Sequence, residues 1–196
     1  MVASFAPPPA VVRPALADAG AQSADDDAYP ADIAPPAGTQ YPCALTALPR
    51  DLPGIPATDR AYINRTYSRL LRATQAKLVL LKALDERRDV LGAQRRYADA
   101  VAPLAERQAD DTVPPGLDPF QDDVREAVRL QQAFFAKAAP MRESGRTMAE
   151  VYQLPEGRQA SSRLMSAWGR MQARYPAWSA ETKDSVYHHL CALDLF

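Results

Sequence analysis

The chain has 196 residues and a mass of 21.4 kDa, room for one domain of ordinary size and a tail. Charged residues make up 24% and the hydrophobic set 47%; the net charge of −1 gives no whole-chain bias toward nucleic acid or an anionic membrane, and neither is expected as a partner. Two cysteines and two histidines exclude zinc-finger, ferredoxin and haem-attachment frameworks, and the eight glycines form no nucleotide cradle, so no metal or cofactor is expected.

Residues 1–42 are dominated by alanine, proline and aspartate, with few large apolar residues. Such a stretch buries too little surface to offset its chain entropy, so it reads as a disordered acidic tail or linker ahead of a helical domain over 43–196. A minority reading docks this tail on a basic helical face of the same chain. Met1 is followed by no basic segment, and Pro7, Pro8, Pro9 and Pro14 interrupt any apolar run of the kind a signal peptide needs. The expectation is therefore either a cytoplasmic protein or a mature chain whose leader has been removed.

The cysteines tip that balance. Cys43 follows the tail and Cys191 lies near the end, flanking the helical region like a clasp. A disulfide between them closes a loop of about 149 residues, worth roughly 5 kcal/mol in the chain-entropy account. A persistent disulfide implies an oxidising compartment, which favours a periplasmic or secreted protein. Two unconnected thiols are the alternative.

From Thr58 onward the period is helical: Ile63, Tyr67, Leu70, Leu71, Leu78, Leu81 and Leu84 recur at steps of three and four. An unbroken helix from 59 to 107 would be about 73 Å long, twice the roughly 37 Å expected for a compact domain of this size. A break is therefore expected within Asp85–Gly92, nearest Gly92. Residues 108–117 read as a loop. Asp118-Pro119 opens the next helix, which Pro140 should limit. Thr147 and Glu150 have capping-box spacing for a short turn that ends before Pro155. Leu164, Trp168, Met171 and Tyr175 form a stripe stopped by Pro176, and Ser179 caps a last helix burying Val186, Leu190 and Leu193. The fold class is all-α, an irregular bundle of about five helices.

Three constellations carry candidate chemistry. Arg65, Arg69 and Arg72 share one helical face at i, i+4 and i+7, where their mutual repulsion invites an acidic protein partner. A small carboxylate is the second candidate ligand. Asp184, His188 and Cys191 follow the same spacing on the last helix, and read as an exposed histidine pair, His188 and His189, beside a structural cysteine. Trp168, Met171, Tyr175 and Trp178 read mainly as core, with Trp178 a candidate interface anchor.

Around Asp85, Arg88 and Asp89 the chain faintly resembles the helical AroQ class of chorismate mutases, with aspartate at the position of that family's motif glutamate. The resemblance implies a dicarboxylate held by Arg65, Lys77 and Arg88, with Asp85, Asp89 and a distal Gln132 completing the site. Catalysis there would be electrostatic, with cations stabilising a pericyclic transition state. The reading favoured by the residues themselves is a non-catalytic exported binding protein, such as a periplasmic inhibitor, an immunity-type protein or an envelope adaptor. The mutase is its enzymatic alternative.

Overall fold

In the computed structural model, residues 29–49, 52, 54–106 and 112–196 are described. The all-α expectation holds over them: six helices are present and no strand. These are α1 (Ala57–Glu86), α2 (Val90–Ala105), α3 (Asp118–Glu143), α4 (Met148–Val151), α5 (Pro155–Arg174) and α6 (Ala180–Leu193). Residues 1–28 of the expected tail, and most of the expected loop before Pro114, lie outside the described residues.

The first long helix breaks where chain length demanded, but at Arg87–Asp89. Arg87 and Asp89 both take left-handed backbone angles, at φ 54° and 50°. The Arg88 amide returns to the Ala83 carbonyl at 3.0 Å, the bond that closes a helix end of the Schellman type. Gly92, the expected break, lies inside α2, where a Cβ would run into the Asp89 carboxylate. Its missing side chain makes room for the corner.

Pro140 does not end α3, which runs one more turn to Glu143. Arg142 holds that turn: its Nε donates to the Leu84 carbonyl at 2.9 Å and its Nη2 to the Asp85 carbonyl at 3.0 Å. One guanidinium thus closes the end of α1 and pins α3 to it. The Thr147 capping box forms as expected, with the Glu150 amide donating to the Thr147 hydroxyl at 3.2 Å and the Thr147 amide to Glu150 at 2.8 Å. Pro155 opens α5 rather than merely ending the turn before it, since its lost N–H belongs to an unpaired first turn.

The five long helices close a ring: α1 packs on α2, α6 and α3, α3 on α2 and α5, and α5 on α6. Tyr67, Phe120, Phe134 and Phe135 fill its centre with Ile63, Leu70 and Met171, and the rings of Tyr67 and Phe120 stack at 6.3 Å.

Residues 29–49 have neither helix nor strand, yet they lie on the bundle as a strap. The Tyr29 hydroxyl is 2.7 Å from His189 Nε2, Gln75 reaches the Ala34 carbonyl at 3.0 Å, and Ser185 reaches the Thr46 carbonyl at 3.2 Å. Residues 29–42 were assigned to the tail by composition. Tyr29, Ile33 and Tyr41 give this part of it enough apolar surface and hydroxyl chemistry to dock.

Candidate functional site: two arginine rows and a thiol pair

Arg65, Arg69 and Arg72 lie on one flank of α1, but that flank is half-buried rather than a free solvated face. α1 packs on α2, α3 and α6, and half of its residues are buried. Arg72 Nη2 donates to the Ser68 hydroxyl at 3.2 Å. Arg69 lines a narrow crevice between Tyr62, Thr66, Pro103 and Leu104. All three arginines are engaged in polar interactions.

A second row, which sequence reasoning missed, stands further out. Arg163, Arg170 and Arg174 of α5 share one face at i, i+7 and i+11, and their side chains are 52%, 59% and 42% exposed. Their guanidiniums are held by two buried carboxylates. Asp123 of α3 holds Arg163 at 3.2 Å and Arg170 at 3.5 Å, while Asp59 of α1 holds Arg174 at 3.3 Å. Asp59 also accepts the Tyr175 hydroxyl at 2.7 Å. The signal was present in sequence as three arginines along one flank of the buried stripe Ala160, Leu164, Ala167 and Met171. What it lacked was the pair of acids, which lie 40 or more residues away in the chain.

The interior polar groups join helix ends and the strap to the ring. Lys77, 1% exposed, donates from Nζ to the Ala192 carbonyl at 2.7 Å and to the Asp194 carbonyl, closing the C-terminus of α6. Burial lowers its pKa to about 8, against the pull of Asp194. Gln131 assists by donating to the Leu193 carbonyl at 2.8 Å while accepting the Tyr97 hydroxyl at 2.8 Å.

His189 is buried rather than exposed, a correction to the expected histidine pair: its side faces Tyr67 and Tyr29 inside the ring, whereas His188 is half-buried. Its Nδ1 lies 2.7 Å from the Ser185 carbonyl and so carries the proton, leaving Nε2 to accept from Tyr29. Asp184 is exposed. Among the described residues no group of three His, Cys, Asp or Glu is placed to hold a metal ion.

Cys43 and Cys191 are brought together across the chain. They are neighbouring, unbonded thiols, and Cys43 donates to the His188 carbonyl at 3.4 Å, one turn of α6 before Cys191. Burial pushes the Cys43 thiol up to about 12, and Lys77 pulls against that rise.

The residues implied by the mutase resemblance are dispersed. Lys77 points into the end of α6, Asp85 is exposed, and Arg88 and Asp89 line a surface depression with Lys82 and Arg96. Gln132 is only half-buried, and its neighbour Gln131 is the buried amide. Trp178, the expected interface anchor, is 5% exposed and stacked on Tyr175 at 4.5 Å, because Pro176 folds it back onto the end of α5. Trp168 is instead the partly exposed tryptophan, set against Tyr187.

No described helix is long and apolar enough to cross a membrane. Comparison with known protein families, curated proteins and solved structures finds no match to this chain.

Proposed function

We propose that this chain is a non-catalytic exported binding protein that captures an acidic protein partner through its arginine rows. Arg163, Arg170 and Arg174 form the main contact, and the Arg65, Arg69 and Arg72 flank of α1 forms the second. The supporting observation is the way α5 holds its arginines. Each guanidinium is held through one of its nitrogens by a buried carboxylate, and its side chain stays 42% to 59% exposed. A tethered arginine loses less side-chain freedom when it grips a carboxylate, and its fork donates two hydrogen bonds to that carboxylate.

Helical geometry spaces the three by about 10 Å and about 6 Å along α5. The spacing suits acids repeated along a protein surface. Binding rather than turnover is further supported by the uses of Lys77, Arg142 and Asp59, whose charges join helices in the ring. Export rests on the thiol pair: in an oxidising compartment Cys43 and Cys191 close to a disulfide that clasps the strap to α6.

The test is titration of a glutamate-rich helical peptide into three forms of the protein. The triple variant Asp123→Asn, Arg163→Gln, Arg170→Gln removes two guanidiniums without leaving a buried charge alone. We expect its affinity to fall at least about tenfold, and reversal of Arg65, Arg69 and Arg72 to glutamate to cost less. Equal affinity for wild type and the triple variant contradicts the α5 assignment.

A further inference from the structure

We infer that Cys43 and Cys191 form a thiol–disulfide exchange site, with Lys77 as its positioning residue, whose oxidation by an external disulfide fixes residues 29–49 onto α6. The exchange presupposes the clasp proposed above and adds how it closes and what it controls.

The two thiols come from different parts of the molecule: one from the strap, the other from the last turns of α6. Both lie close enough to Lys77 to feel its charge. That cation is fixed, because two carbonyls of the α6 terminus take its protons. A thiolate formed beside it is stabilised without any side chain having to move. Asp194, Tyr187 and His188 are the other titratable groups around the pair.

The surroundings of the two sulfurs differ. Cys191 lines a cavity of about 110 Å³ walled by Leu164, Met165, Trp168, Tyr187 and Phe196. Cys43 sits on the strap side with its proton directed at the His188 carbonyl. Cys191 is therefore the attacking sulfur. Its thiolate attacks one sulfur of a low-molecular-weight disulfide, forming a mixed disulfide and releasing one thiolate. Cys43 then loses its proton to solvent and attacks the Cys191 sulfur, expelling the second thiolate. One protein dithiol and one external disulfide become one protein disulfide and two external thiols. Oxidation bonds the strap to α6; reduction leaves it held by hydrogen bonds such as those of Gln75 and Ser185 alone.

The experiment exposes the full chain to graded mixtures of oxidised and reduced glutathione and reads its thiols by alkylation and mass. Wild type is expected to pass from the dithiol to a species two hydrogens lighter, with slower amide exchange around Tyr41. Cys43→Ser is expected to retain one glutathione on Cys191, and Cys191→Ser to take up glutathione about tenfold more slowly. In the Cys43→Ser background, Lys77→Met should slow alkylation of Cys191 about tenfold, with Lys77→Arg rescuing it.

If Lys77→Met fails to fold, Lys77→Gln in the same background decides: slower alkylation of Cys191 than in Cys43→Ser supports the role of Lys77, and an unchanged rate contradicts it. Absence of the lighter species at every ratio overturns the clasp itself. A lighter species with unchanged kinetics in Lys77→Met overturns the exchange mechanism and leaves the clasp standing. Neither readout depends on the arginine rows.

Discussion

His189 is kept neutral by burial, which lowers its pKa to about 4 from 6.5. Between those values the unfolded chain binds a proton that the folded chain refuses, so stability falls as pH drops from 6.5 toward 4, by about 3 kcal/mol at most. Chemical denaturation at pH 7 and 4.5 should show that loss, and His189→Asn should show less of it. Lys77 has the same sign in another window. Its folded value of about 8 lies below the ordinary 10.5, so stability should rise as pH climbs past 8. Cys43 opposes the trend from about pH 9, because its folded thiol holds its proton to about 12. A rise confined to pH 8–9 is the expected profile.

Tyr67 supplies a contrasting residue-scale prediction. Its hydroxyl is fully buried and meets no hydrogen-bond partner among the described residues. Tyr67→Phe should therefore leave stability unchanged or raise it by about 1 kcal/mol, read by urea denaturation. A loss greater than about 1 kcal/mol would mean that the hydroxyl has a partner after all.

At the scale of elements, the helices were legible because their signals are local. The Ser179 hydroxyl accepts the Thr182 amide at 3.1 Å and donates to the Thr182 hydroxyl at 3.0 Å, and the buried positions Val186, Leu190 and Leu193 follow from spacing alone. The corner at Arg87–Asp89 was legible in its need but not in its place. Nothing in Arg87 announces a left-handed angle and Asp89 only tolerates one, whereas Gly92 invites it, and it serves the corner from inside α2. Replacing Arg87 by glycine should relieve that angle and stabilise the protein by a few tenths to about 1 kcal/mol, measured by thermal melting. Destabilisation would mean that the Arg87 side chain contributes more than its backbone costs. Pro140 misled for a similar reason: a local rule ended α3, and a contact from Arg142 to a helix more than fifty residues away carried it on.

For the whole molecule, the sequence conveyed an all-helical fold and the nearness of its two cysteines, because those depend on periodicity and on end-to-end position. The arginine row on α5 depends on which acids the ring brings beneath it, and Asp59 and Asp123 belong to other helices. Composition likewise assigned residues 29–42 to the tail, while Tyr29 and Tyr41 bind them to α6 and α1.

The central claim is that this ring of helices presents fixed arginines to an acidic protein. Its most direct test is the salt dependence of binding to a glutamate-rich helical peptide, measured by calorimetry on wild type and on the Asp123→Asn, Arg163→Gln, Arg170→Gln variant. The account predicts wild-type affinity that falls steeply with added salt, and a weaker, flatter dependence in the variant at an unchanged fold. Absence of wild-type binding at low salt, or identical slopes for the two proteins, would contradict it.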